Sequence, residues 1–292
     1  MNTTTMTLDN VRQFVAMDDQ GKYDATIHLG RLAMDPQLGR FTFNTDSTKF
    51  PRRFAERNID SVVGNFYGST DTGWGQLCRA CGLPDPRWVK RNPTDLQAQI
   101  FDHWANQNPR PIFFRFRNNS IRAALTDQYV PVNNNRVLTA IERALPKLVG
   151  GEVRAYGLDE HRFFLKVLFP ALTRDITRVS GRKEQMKVGV MFTNSEVGAA
   201  SIRVEPFIYR QPCTNDLIVE QDRRWSHQHR WIAEDKLNDM VEIAVAHGMK
   251  DGADSGPQFP GAKRETKGQC KELAAKEWKD VKQNQQVTLA AA

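Results

Sequence analysis

The stretch GEVRAYGLDEHRFFLKVLFP, residues 151–170, most restricts what this chain can become. Side chains point alternately to opposite faces of a β-strand. On that rule Phe163, Leu165, Val167 and Phe169 share one face, and Arg162, Phe164, Lys166 and Leu168 share the other. The bend falls near Gly157–Glu160, so the stretch reads as a hairpin. A strand with one apolar face needs further strands beside it and a layer over it. The sequence offers both. GVMFTNSEVGAASIRVEPFIYRQPCTN, residues 189–215, supplies strands at about 186–193 and 200–210. IFFRFRNNSIRAAL, residues 112–125, supplies two more about an Asn118-Asn119-Ser120 turn, with Phe114 and Phe116 on one face and Arg115 and Arg117 on the other. Val137, Leu138, Ile141, Leu145 and Leu148 recur at helical spacing after an Asn133–Asn135 run suited to capping. The expected class is α+β: antiparallel sheet from hairpins at about 112–130, 152–169 and 186–210, a crossing helix at about 136–149, and flanking helices.

The flanks divide the chain further. Residues 1–70 form an N-terminal segment with one short strand candidate, GRFTFN. Residues 71–250 form the core domain. Its first helix places Trp74, Leu77, Cys78 and Cys81 on one face, with Asp71 or Thr72 as cap and Gly82 as stop. A second helix from Pro93 to Asn106 has Leu96, Ile100 and Trp104 on one stripe. After Cys213 the pattern is helical to about Met249. Residues 251–262, rich in Gly and Pro, read as a linker. Residues 263–292 carry an amphipathic helix with Cys270, Leu273, Ala274, Trp278 and Val281 on its stripe.

Charge is concentrated. The 292-residue chain is formally +7. Residues 110–210 hold 17 Lys and Arg against 9 Asp and Glu, a surplus of eight, so the remainder is close to neutral. Thirteen of those 17 are Arg, whose planar guanidinium suits bidentate contact with phosphate. A basic surplus confined to one segment suggests a polyanion-binding surface or, more simply, a solvated basic face.

Several function classes are set aside on sequence grounds. No apolar run approaches the ~20 residues of a spanning helix, so no membrane partner is expected. MNTTTMTLDNVRQF lacks the basic and apolar regions of a signal peptide. Four cysteines are too few for a disulfide framework, which suits the cytoplasm of a bacterial host. No glycine-rich phosphate loop of the P-loop or dinucleotide type is present, and no cofactor is expected. Cys78-x-x-Cys81 has zinc-like spacing, but a second pair must come from Cys213, Cys270, His227 or His229, and both cysteines also fit an apolar helix stripe. Asn194-Ser195-Glu196 looks chemical, yet Ser195 lacks the G-x-S-x-G context of a nucleophile. It reads as a hairpin tip, with any function residing in the flanking strands. Asp159, Glu160, Glu196, Glu205 and Asp216 are scattered through the basic region, and no spacing singles out a metal pair.

What remains is basic strands interleaved with aromatics, the pattern of single-stranded nucleic-acid binding by a positive groove and stacking rings. Arg115, Arg117, Arg122, Arg162, Lys166, Arg203 and Arg210 are the strand cations. Arg174, Arg178, Arg182, Lys183 and Lys187 cluster in and around one loop and make a candidate clamp. Phe116 and Tyr209 are the candidate stacking residues.

The motifs carry a resemblance. RAALTDQYVPVNN, Arg122 to Asn134, is similar to an Arg-Ala-x-Leu-Ser-x-x-Tyr-x-Pro-x-Asp-Asn segment of the uncharacterised phage/plasmid-like protein family. Asn-Ser-Glu-Val-Gly matches fully at 194–198, and Tyr209, Arg210, Cys213 and Asn215 match its Tyr-Arg-x-x-Cys-x-Asn-Gly. Thr126, Asn133 and Asp216 depart from the pattern. The resemblance covers roughly residues 72–232. It implies a prophage, plasmid or bacteriophage context and brings no activity with it. At the level of layout, a basic sheet crossed by a helix is similar to the single-strand annealing proteins of the Rad fifty-two superfamily, which implies ATP-independent DNA recombination by an oligomer.

The sequence therefore leads to a mobile-element protein that binds single-stranded DNA, possible strand annealing included, as a homo-oligomer. Two alternatives stand beside it: a metal-dependent nuclease or other nucleic-acid-processing enzyme, sensitive to Glu196→Gln, and a non-enzymatic phage interaction or assembly protein.

Overall fold

Thr7 opens the first helix. Its side chain accepts from the Asn10 amide while Asn10 returns a hydrogen-bond acceptor to the Thr7 amide, a closed capping box. The helix, α1 (Leu8–Asp19), is the start of a computed structural model that describes residues 6–44, 56–83, 85–144, 151–177, 183–210, 225–227 and 239. Within them the chain is α+β, as its periodicities predict.

Two larger sheets are present where the sequence suggested one. The first has four strands in the order β1-β5-β6-β4. These are β1 (Lys22–His28), β4 (Gly68–Ser69), β5 (Pro111–Arg117) and β6 (Ser120–Thr126). β5 and β6 form the expected hairpin, turned by Asn118 at φ 50. A two-strand ladder, β2 (Leu32–Met34) with β3 (Phe41–Phe43), lies nearby. Helices α2 (Asp71–Cys81), α3 (Pro86–Arg91) and α4 (Thr94–Gln107) complete this half. Its core buries Phe41, Phe43, Tyr67, Phe101, Phe114 and Phe116, and each such ring contributes about 1.5–3 kcal/mol through the area it removes from water.

The second sheet is wholly antiparallel, in the order β11-β10-β9-β8-β7. The strands are β7 (Glu152–Leu158), β8 (Phe163–Thr177), β9 (Lys183–Asn194), β10 (Ile202–Arg210) and β11 (Trp225–His227). Phe163, Leu165, Val167 and Phe169 do face one way. With Val190, Phe192, Ile202 and Val204 they pack against Val11 and Val15 of α1 and Val137, Leu138 and Ile141 of α5 (Asn134–Ala144). So two helices cover this face. The second comes from the N-terminal segment, whose amphipathic period is short and easily passed over.

The boundary expected at residue 70 is not a structural one. β1 pairs with β5 along its whole length, from Lys22↔Arg117 to His28↔Pro111, which builds residues 22–28 into the core sheet. Two local readings also change. Thr70, not Asp71 or Thr72, caps α2 by accepting from the Gly73 amide. Gly73 itself lies so close to β6 that a Cβ there would meet the Ile121 carbonyl oxygen at 2.3 Å. On α4 the buried stripe is Ala98, Phe101 and Ala105, and Leu96 and Trp104 face outward at 38% and 37% exposure. The small Ala side chains let this helix approach closely, so the larger stripe lost the competition for the core. The linker at 251–262 and the helix at 263–292 lie outside the described residues.

Candidate functional site

Two constellations bear on function, one buried and one on a sheet surface.

The buried one forms where the two sheets meet, around Glu196. β9 ends at Asn194, and the chain crosses to β10 through Asn194-Ser195-Glu196-Val197-Gly198. This is not a solvent-facing hairpin tip: Asn194 and Ser195 are fully buried and Glu196 is 3% exposed. One Glu196 carboxylate oxygen, Oε2, accepts from Lys22 Nζ at 2.8 Å and from Arg122 Nη2 at 3.1 Å. The other, Oε1, accepts from the Asn134 amide at 2.8 Å, at the N-terminus of α5, where the free amides and the helix dipole favour negative charge. Burial pushes the Glu196 carboxyl up, but the Lys22 charge and hydrogen bond, the Asn134 amide and Arg115 together outweigh it and bring the pKa down to about 2.

The surrounding groups are equally committed. Arg115, 2% exposed, donates Nε to Asp24 at 2.9 Å, Nη1 to the Glu196 carbonyl at 2.9 Å, and Nη2 to Asn133 Oδ1 and Asp24. Arg117 donates to Asp18 at 2.9 Å. Tyr129 donates its hydroxyl toward the Ser195 and Glu196 carbonyls, and its own pKa is raised, mainly by burial. Asn194 Nδ2 donates to the Val132 carbonyl at 3.0 Å and to Asn134 Oδ1 at 2.8 Å. Ser195 Oγ accepts from the Ala199 amide, closing its own turn. Gly198 takes φ 71, and a Cβ there would meet Leu125 at 2.7 Å.

The two motif segments therefore touch. Arg122, Tyr129, Asn133 and Asn134 come from one, and Asn194 to Gly198 from the other. They form one polar joint that ties β6 and α5 to the β9–β10 crossing, with Lys22 and Asp18 inserted from the α1–β1 corner.

This arrangement bears on the chemistry expected of it. Asp18, Asp19 and Glu196 bring carboxylate oxygens within 4.8 Å of one another, a spacing a divalent cation accepts. The Lys22 ammonium sits among all three, bonding Asp18, Asp19 at 3.2 Å and Glu196. The positive charge these acids need is already supplied by the chain. Ser195 is buried with its hydroxyl oxygen engaged by a backbone amide. Cys78 and Cys81 are fully buried in α2, and burial pushes each thiol up to about 12. They are core residues of the first half.

The same joint corrects part of the sequence reading. Arg115, Arg117 and Arg122 do not gather into a cationic trough. Asp24, Asp18 and Glu196 neutralise them. Phe116 is fully buried, its ring stacked on Tyr23 with centroids 5.0 Å apart, and no base can reach it. The reason is physical: a strand arginine must point somewhere polar, and for Arg115 and Arg122 the polar place is inside, between two sheets the sequence did not separate, while Arg117, 43% exposed, is paired with Asp18 at the edge.

The surface constellation lies on the face of the second sheet turned away from α1 and α5. Its rows follow from the register. Gly157, Phe164, Thr193, Arg203 and Ser226 are successive cross-strand partners from β7 to β11. Ala155, Lys166, Met191 and Glu205 make the neighbouring row. Arg162 precedes Phe164 by two and is exposed. Lys187, two strand repeats beyond Met191 and partly exposed, continues the face along β9. Among the described residues Arg162 and Arg203 form no ion pair, and Arg203 donates only to Ser201 Oγ, at 3.4 Å. Lys166 Nζ lies 5.9 Å from the centroid of the Phe207 ring.

Beyond this face β8 and β9 continue together, Thr173↔Lys187 to Thr177↔Lys183, as a two-stranded arm. Arg174 and Lys183 are backbone positions of that arm. Arg178 and Arg182 lie in 178–182, outside the described residues. Tyr209 and Arg210 pair through their backbones with Lys187 and Met186. Of the predicted cations, the structure brings Arg162, Lys166, Lys187 and Arg203 to one face. Sequence reasoning missed Lys22, Asp18 and Asp24 as partners, and it set Phe164 beside the strand cations without choosing it as a stacking ring.

No helix among the described residues is long and apolar enough to cross a membrane. No protein-family model, curated protein or solved structure matches the chain.

Proposed function

We propose that this protein binds single-stranded nucleic acid, DNA in the first instance, on the outer face of its five-stranded sheet, and that it does so as a homo-oligomer of a phage or other mobile element. One observation carries the reading. Arg162, Lys166, Lys187 and Arg203 share the sheet face turned away from α1 and α5; Arg162 is exposed and the other three are partly exposed, although Leu168, Thr193 and Phe207 on this face are buried, and neither Arg162 nor Arg203 has an ion-pair partner among the described residues. Guanidinium and ammonium groups spaced along a sheet follow a flexible phosphate backbone without reading its sequence. The β8–β9 arm extends the same strands, and the clamp read from the sequence at Arg174, Arg178, Arg182, Lys183 and Lys187 is part of this proposal. The motif resemblance to phage/plasmid-like proteins supports the mobile-element context, and strand annealing is proposed as one use of such binding.

The test is titration of a fluorescent oligonucleotide at rising salt, with mass photometry of the same mixtures. Each phosphate contact lowers log affinity by about 0.7 per log unit of salt for single strands. Three to four contacts give a slope near −2 to −3. Absence of binding at low salt overturns the reading.

A further inference from the structure

Phe164 is a large apolar side chain left 37% exposed on the outer face of the five-stranded sheet. Its direct cross-strand partner on β7 is Gly157. A Cβ on Gly157 would come within 2.7 Å of Phe164 Cε1 and 3.0 Å of Cζ. One edge of the ring thus rests over the glycine, laid across β7 instead of standing away from the sheet. The sheet uses the same device once more. Phe207 lies over Gly189, where a Cβ would meet its Cζ at 2.5 Å, but Phe207 is 2% exposed. Covering a strand glycine with a cross-strand ring shields backbone hydrogen bonds. At Gly189 that purpose is complete. At Gly157 the ring keeps an open surface, which shielding alone does not require.

The neighbours of that surface are cationic. Arg162 and Lys166 lie two residues to either side of Phe164 on the same strand face. Arg203 stands in the same row two strands away, about 10 Å at the usual strand spacing. The acids near it are accounted for. Asp159 accepts from the His161 and Arg162 amides, and Glu160 from the Thr72 amide at the start of α2. Glu205 shares the Lys166 row, and Glu152, exposed opposite Leu168, lies one row further along the same face.

We infer that the Phe164 ring, seated on Gly157, is a base-stacking subsite. It takes one nucleobase of a single-stranded polynucleotide, and Arg162, Lys166 and Arg203 hold the phosphates beside that base. This rests on the proposed single-strand binding and deepens it. Every base has a π-face, so such a site tolerates any sequence.

The experiment compares the wild-type chain with Phe164→Ala and Phe164→Trp. The probes are a fluorescent oligo-deoxythymidine and an abasic oligomer of the same length and charge. Stacking predicts that Phe164→Ala weakens oligo-deoxythymidine binding about 5- to 150-fold. The salt slope stays unchanged, because no phosphate contact is lost. Binding of the abasic oligomer is the same in both. Phe164→Trp retains affinity, and its added indole emission is quenched on binding. If the wild type binds the oligonucleotide and Phe164→Ala binds it equally well, the subsite is refuted while the proposed function stands. Equal weakening toward both probes refutes it too, since the ring would then act only by holding the sheet. If the wild type binds neither probe, the proposed function fails and the subsite with it. Thermal melting of each variant confirms that the compared chains are folded.

Discussion

The Glu196 carboxylate accepts a hydrogen bond from the Lys22 ammonium at 2.8 Å, across 174 positions of sequence. The pair joins the turn after the first helix to the crossing between two strands of the far sheet. Both side chains are almost sealed from water, at 8% and 2% exposure. Removing one member of such a pair strands the other, which costs about 3–5 kcal/mol. Glu196→Ala is expected to lose stability of that order in chemical denaturation. Glu196→Gln, which keeps an acceptor for the Asn134 amide, loses less. A Glu196→Ala chain as stable as wild type contradicts the joint described above.

The same carboxylate sets a pH dependence. Its folded pKa, about 2, lies below the ordinary 4.5, so the ionised form stabilises the fold. That contribution is fully present above about pH 4.5 and is lost as pH falls toward 2. The depression corresponds to roughly 3 kcal/mol. Acid titrations of wild type and Glu196→Gln, followed by circular dichroism, should converge as pH drops through this window. Parallel curves rule out the assignment.

The strand arginines divide into two groups with opposite phenotypes. Arg115→Ala leaves the partly buried Asp24 carboxylate and the Asn133 side-chain oxygen without their Arg115 donor and should lower the melting temperature by several degrees, whatever ligand is added. Arg162→Ala and Arg203→Ala should melt like wild type. Each should flatten the salt dependence of oligonucleotide binding by about 0.7. Reversed phenotypes rule out the surface assignment.

Glu205 lies within the proposed binding face, in the row of Lys166. Neutralising it removes repulsion of phosphate. Glu205→Gln should therefore tighten oligonucleotide binding at low salt, with the gain shrinking as salt screens the charge. Weaker binding in this variant contradicts the proposed path of the strand.

Cys78 and Cys81 are held as thiols by burial, with pKa values raised to about 12. Thiolate is the reactive form. Peptide mapping after brief alkylation should find both unlabelled in the native chain and labelled in denaturant.

The strands of the second sheet were legible because their pattern is local. Phe163 to Phe169 alternates cleanly, and the structure keeps that alternation. The hairpin was legible for the same reason, though its bend falls at 159–162, two residues later than read, with Gly157 and Leu158 still in β7. What escaped notice was non-local. Nothing near Arg115 in sequence reveals that Asp24 and Asn133 await it, so an arginine on a strand looks like surface until the second sheet is in place. Asn194-Ser195-Glu196 has turn-forming composition, and it does join two strands. Its burial depends on Lys22, Arg122 and the end of α5, which approach from three distant segments. Leu96 and Trp104 misled in the opposite sense. Their stripe is the more apolar, but close approach of α4 favoured Ala98 and Ala105. The face of Phe164, beside Arg162 and Lys166, was legible, but its posture was not, since that is set by a missing Cβ on a neighbouring strand.

The position of Lys22 has a kinetic consequence. The corner that carries it emerges early from a ribosome, while its acceptor follows many seconds later at ordinary synthesis rates. Until then Lys22 has Asp18 and Asp19, four and three residues away, as its partners, and Glu196 completes the set. Closure of long loops governs folding speed in such topologies, so the arrival of the Glu196 crossing should be a late event in maturation, the one that locks the corner between α1 and β1 to the far sheet.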